Sequence, residues 1–195
     1  MTSRAPARPL ALTLSLTAVA ALGLTGCAPS SSHRLRAFRA TLGRHESATL
    51  ALEEWCARQG IAAPARILAR QVDSRETVFT PAIRAALEVA PEEPLRVRHV
   101  LLSCGDTVLS DAMNWYVPAR LTPDMNRTLD TTHMPFGKVV APLDFHRVPL
   151  PTDMPPPAPC PAGTIHHVTA ILRRADGQAI SLVSECYTGA NLLHH

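Results

Sequence analysis

Ile165-His-His-Val-Thr-Ala-Ile-Leu-Arg-Arg174 is followed by Ala175-Asp176-Gly177-Gln178 and then by Ala179-Ile-Ser-Leu-Val-Ser-Glu185-Cys186-Tyr187. Two runs rich in apolar and β-branched residues flank turn residues, the pattern of a hairpin. Asp-Gly suits a two-residue type I′ turn, because both central residues of that turn need positive φ. With Asp176 and Gly177 as the turn, Ala175 faces Gln178 and Val168 faces Glu185. Glu185 then shares a sheet face with Ser181 and Val183. A carboxylate on such an apolar strand is either a solvent-facing charge or a group set in a pocket, where acid–base residues are found.

Further strands lie upstream. Leu95 to Ser103 alternates, with Leu95, Val97 and Leu101 on one face and Arg96, Arg98, Val100 and Leu102 on the other. Cys104-Gly105-Asp106 is its turn, and Thr107 to Val117 the returning strand. Residues 66–72 and Leu143 to Val148 are two more strand candidates. Helical spacing marks Leu35, Phe38 and Leu42, ended by Gly43. A second helix is expected from Ser47, a suitable N-cap, to Gln59, with Gly60 as its stop. It places Ala48, Leu52, Trp55 and Cys56 on one face. Thr80-Pro81 opens a helix to about Ala90, and Thr122-Pro123-Asp124 opens another. Residues 149–161 hold seven prolines, which favours an extended connection outside any sheet interior: a lid, a binding loop or an inert insertion. The expected class is α+β: a mainly antiparallel sheet with helices packed on one face.

The N-terminus has a different character. Arg4 and Arg8 precede an uncharged apolar run, Leu10 to Leu24, too short for a bilayer span. It ends in Leu24-Thr25-Gly26-Cys27, which resembles a bacterial lipobox. This implies a signal peptide over residues 1–26, cleavage, and acyl chains (palmitate-type) on Cys27. Ala28 after the lipidated cysteine favours the outer membrane, facing the periplasm. Residues 28–33 read as a tether, residues 27–45 as anchor, tether and first helix, and residues 46–195 as the globular domain. Beyond residue 26 the chain carries 17 Lys+Arg and 16 Asp+Glu. With no basic stripe, nucleic-acid binding is not expected. Arg34, Arg36, Arg39 and Arg44 either touch headgroups or form a solvated helix face. Cys56, Cys104, Cys160 and Cys186 allow two disulfides in three connectivities, and at least one is expected. No Cys-x-x-Cys or His-Glu-x-x-His spacing occurs, so no metal site is expected.

Several short stretches, in order, resemble the chorismate lyase family, whose fold is shared with ligand-sensing domains of some transcription regulators. They are Arg98-His99-Val100-Leu101-Leu102, Val117-Pro118-x-x-Leu121, Thr132-x-x-Pro135-Phe136-Gly137, Arg147 and the Gly177…Glu185 hairpin. The similarity runs over residues 46–193. It implies elimination of pyruvate from chorismate, or a similar carboxylated ring, to give 4-hydroxybenzoate, with no cofactor. Arg98 would pair with the ligand carboxylate, since its planar fork can grip a carboxylate at two points. Glu185 would hydrogen-bond the ring hydroxyl and act as the acid–base group. Ala48, Phe136 and Gly137 would line the closed pocket, and Arg147 would support it. Asn114 stands where some lyases carry a second arginine, so a dicarboxylate would be held less firmly. Export would also separate the protein from cytosolic chorismate. The alternatives are a monomeric envelope lipoprotein binding a small aromatic carboxylate without turnover, and a structural protein with a filled pocket.

Overall fold

The structure, a computed structural model, describes residues 1–2, 30–72, 79–151 and 159–193. The lipobox Leu24–Cys27, with its signal-peptide and anchor expectation, and residues 152–158 of the proline-rich stretch lie outside the described residues.

Six strands build one antiparallel sheet. They are β1 (Ile67–Gln71), β2 (Arg96–Cys104), β3 (Thr107–Tyr116), β4 (His146–Pro149), β5 (His166–Arg173) and β6 (Ala179–Tyr187). Their order is β1-β2-β3-β6-β5-β4. The β2–β3 and β5–β6 hairpins lie side by side, and β3 pairs with β6 at the centre. β4, which ends in Pro149, is an edge strand, where a missing backbone donor does least harm.

Val168 does pair with Glu185, but the turn beyond is not type I′. Gly177 N–H donates to Arg174 O and Arg174 N–H to Gln178 O. Only Gly177 takes positive φ, at +83°, so the loop spans three residues and Ala175 does not face Gln178. A register shift between Leu172 and Arg173 cancels the extra residue. The rest of the ladder therefore keeps the expected pairing.

Helices α1 (Ser31–Leu42), α2 (Ala48–Gln59), α4 (Pro123–Thr131) and α5 (Phe136–Val139) cover one sheet face. The described part of the expected tether is mostly helix: α1 starts at Ser31, with Ser30 Oγ accepting from His33 N–H. Phe38 is fully buried and packs edge-on against both Trp55 and Tyr187. Burial of such a ring contributes on the order of 2–3 kcal/mol, so α1 belongs to the packed unit, and the boundary expected at residue 46 falls inside it. Arg34 bonds Leu192 O and Gln59, and Arg44 bonds Glu54, so these two arginines serve the fold itself.

α3 (Pro81–Ala86) adds a feature the sequence did not suggest. Its Ile83, with Leu87, packs among Trp115, Ile171 and Leu182 on the opposite sheet face. It ends before Ala90, because Leu87 caps it and Glu88 turns to φ +53°. All four downstream cysteines are bridged: Cys56 to Cys104 and Cys160 to Cys186.

Candidate functional site

On the helix-covered face the core falls into two clusters. Val100, Leu102 and Ala112 belong to the one under α1 and α2. Phe136, Leu172 and Val183 belong to the one under α4 and α5. A narrow cavity of about 50 Å³ lies along the seam. Ala48, Arg98, Phe136, Gly137, Arg147 and Glu185, the residues expected to form a site, all line it.

The strand register places the charged groups. Arg98 pairs with Asn114 across β2–β3, and Ala112 pairs with Glu185 across β3–β6. Arg98 is 5% exposed, and its Nε and Nη2 have no hydrogen-bond partner among the described residues. Burial pushes its guanidinium below the ordinary arginine range, with the charges of Tyr116 and Asp130 acting the other way. Asp130 is bonded by Arg96 at 2.7 and 2.9 Å. Asp111, on the neighbouring strand, is engaged by His99 Nε2 at 2.7 Å.

Glu185 is in the opposite condition. Arg147 Nη1 and Nη2 both donate to its carboxylate, and Tyr187 Oη donates to Oε2 at 2.8 Å. Burial opposes the charge on Arg147, but the Glu185 carboxylate, helped by Tyr187 and Glu46, outweighs it. The guanidinium is thus held above its ordinary range. Burial, then the neighbouring Glu185 charge, drives the Tyr187 hydroxyl well above its usual value. Glu46 accepts from the Arg147 backbone N–H. Glu46, Ala48 and Arg147 also line a neighbouring groove of about 530 Å³. This trio is therefore the partition between cavity and groove.

Two polar groups join the wall that the sequence did not mark as ligand contacts. Ser47 occupies the N-cap position of α2 but makes no side-chain cap bond, and its Oγ is buried without a partner. Gly137 presses on it: a Cβ at residue 137 would run into Ser47 Oγ. Asn114 Oδ1 accepts from Ser181 Oγ, which leaves Nδ2 buried and unpaired. The cavity therefore holds unpaired donors around Arg98 and satisfied acceptors at Glu185. Elsewhere, Cys160, His167 and Cys186 cluster within metal-ligating reach, but both sulfurs are committed to their bridge. No helix among the described residues is long and apolar enough to cross a membrane.

No family model matches the chain. The uncharacterized protein y4mC of Sinorhizobium fredii is 40% identical to it over 175 residues, covering 79% of this chain and 73% of that one. The chain belongs to the y4mC family. Among solved structures, PhnF from Mycobacterium smegmatis matches with a TM-score of 0.53 at 15% identity, over 77% of this chain and 67% of that one. The PhnF effector domain alone matches over 74% of this chain and 89% of that domain, with a TM-score of 0.48. The possible transcriptional regulator YydK from Bacillus subtilis matches with a TM-score of 0.41 at 11% identity, over 66% of this chain, which spans 60% of YydK. The y4mC-family chain thus has the chorismate lyase-like α+β fold, shared with the ligand-sensing (UTRA) domains of such regulators.

Proposed function

We propose that this y4mC-family protein binds a small carboxylate, with Arg98 as the anchor for its charge. The observation that carries this reading is a buried guanidinium on the cavity wall whose Nε and Nη2 have no partner among the described residues. Leaving such donors unsatisfied costs about 1–3 kcal/mol; a ligand carboxylate would remove that cost. The N-terminal turn of α2, which supplies Ala48 and Thr49 to the wall, adds a partial positive charge on the same side. The apolar remainder, Val100, Leu102, Phe136, Phe145 and Val183, suits a ring such as that of 4-hydroxybenzoate.

Turnover, elimination of pyruvate from chorismate, is the second reading. It is favoured by Glu185 sharing the cavity with Arg98. Against it, Glu185 is already engaged by Arg147 and Tyr187, and a second carboxylate lacks a free cation among the described lining residues. Export as a lipoprotein anchored through Cys27 in the outer membrane belongs to the same proposal. Two disulfides support it, since such bridges persist in oxidising compartments.

Calorimetry with 4-hydroxybenzoate, alongside pyruvate release from chorismate, separates the readings. Binding without pyruvate supports the binding protein; pyruvate release that Glu185→Gln abolishes supports the lyase. Arg98→Met is expected to abolish binding while stabilising the unliganded fold by about 1–3 kcal/mol, because it removes an unpaired buried charge. A variant that loses stability and keeps affinity would refute the anchor role. Labelled palmitate incorporated by the parent chain and not by Cys27→Ser checks the anchor.

A further inference from the structure

Asn114 is the feature of the cavity that carbon packing does not explain. It sits opposite Arg98 in the β2–β3 ladder, and directly opposed residues on one sheet face hold their Cβ atoms roughly 5 Å apart. Its amide is also oriented. Ser181 Oγ donates to Oδ1, so the oxygen is occupied and Nδ2 is the free end. Ser181 is fully buried, and Asn114 is 5% exposed. Nδ2 has no acceptor among the described residues. The cavity thus offers a neutral donor beside a charged one.

The charges of the wall limit what can satisfy that pair. Arg147 is engaged by the Glu185 carboxylate and, through its backbone, by Glu46. Of the described lining residues, Arg98 alone is a cation without a carboxylate partner. A second ligand carboxylate would be left facing Glu185 or Glu46.

We propose that Asn114 is a specificity-determining residue, selecting a monocarboxylate that carries a neutral oxygen acceptor next to its carboxylate, and disfavouring a dicarboxylate. This rests on the reading of Arg98 as the carboxylate anchor. Arg98 takes the charge, Asn114 Nδ2 donates to the adjacent hydroxyl, ether or carbonyl oxygen, and Ser181 holds the amide in that sense. The hydrogen bond is conditional on Ser181, because a freed amide could turn its oxygen toward the ligand and repel it.

The test is calorimetry on the purified chain with benzoate, 2-hydroxybenzoate and phthalate, repeated in Asn114→Ala, Asn114→Asp, Ser181→Ala and Arg98→Ala. In the parent chain 2-hydroxybenzoate should bind at least tenfold tighter than benzoate, and phthalate weaker than both. Asn114→Ala should erase the preference for the hydroxylated ring. Asn114→Asp should weaken every carboxylate further, and Ser181→Ala should lower the preference partway. Thermal unfolding of each variant checks that it is folded. Arg98-dependent binding with the same preference in Asn114→Ala overturns the assignment of Asn114 alone. Phthalate binding as tightly as 2-hydroxybenzoate does the same. Carboxylate binding indifferent to Arg98→Ala, or none in any chain, overturns the anchor and the selectivity built on it.

Discussion

Arg147 and Glu185 meet across two strands, on β4 and β6, and each is the other's main compensation for burial. Removing one partner of a buried pair leaves a charge without water or a counter-ion. Arg147→Ala is therefore expected to destabilise the fold by about 3–5 kcal/mol, while Arg147→Met combined with Glu185→Met recovers most of that loss. Urea unfolding of the single and double variants checks it. Equal losses in both would show that packing rather than charge sets the effect. The pairing also explains why two arginines read from one sequence pattern differ in kind. Arg98 lines the cavity with no carboxylate partner among the described residues, whereas Arg147 is closed on Glu185. That distinction was not legible in the sequence, since Arg147 and Glu185 meet only once β5 has brought β4 and β6 together. Six of the wall residues, by contrast, were legible through the resemblance: Ala48, Arg98, Phe136, Gly137, Arg147 and Glu185 meet at one seam, whereas Val117 of another of its stretches packs on the opposite face.

At the scale of elements, alternation identified the strands because each is apolar on at least one face, and the Val168–Glu185 pairing came through although the turn is of another type. The β2–β3 ladder shows what alternation misses. A two-residue turn at Gly105-Asp106, run out regularly, would set Arg98 opposite Met113. The shift between Leu102 and Ser103 sets it opposite Asn114 instead, which puts that amide in the cavity. No residue type announces such a bulge here. The first turn of α1 was missed because Ser31, Ser32 and His33 are weak helix formers, and the packing of Phe38 and the Ser30 cap carry them. Where α2 meets α5, Gly137→Ala should cost about 1–3 kcal/mol by overpacking. Adding Ser47→Ala should return part of it, because the clashing Oγ is gone and no cap bond is lost with it. Thermal unfolding of the pair and the singles reads this coupling; strictly additive losses would refute the contact. The α1–α2 junction carries a pH signature. Glu54 is held at about 2, first by the His45 hydrogen bond and then by Arg44 and Arg58. A carboxyl depressed on folding stabilises above its unfolded pKa, and that contribution fades as pH falls toward the folded value. Glu54→Gln should thus melt below the parent chain at pH 6, with the gap closing between about pH 4.5 and 2. A gap that stays constant over that range would refute the assignment.

Over the whole molecule, each sheet face is covered, and the seam between two core clusters on one face becomes the cavity. The α+β class followed from the order of strands and helices. The place of α3 on the opposite face did not, because its few apolar residues fit either side. The bridges act at this scale too. Cys56 and Cys104 are 48 residues apart and tie α2 to the end of β2, and Cys160 and Cys186 are 26 apart and tie the approach to β5 to the end of β6. Their loops overlap neither in sequence nor in the strands they join. A protease that nicks one peptide bond between Ala57 and Ser103, or between Pro161 and Glu185, therefore severs the chain without parting it. On a denaturing gel such a nicked chain should run as one band until a thiol is added, and as two afterwards. Two bands without reductant would mean that the corresponding bridge is not formed. A cut between Gly105 and Pro159 has no such safeguard, and its two halves would be held by noncovalent contacts alone, among them strand pairing and the packing of Phe38 on Tyr187.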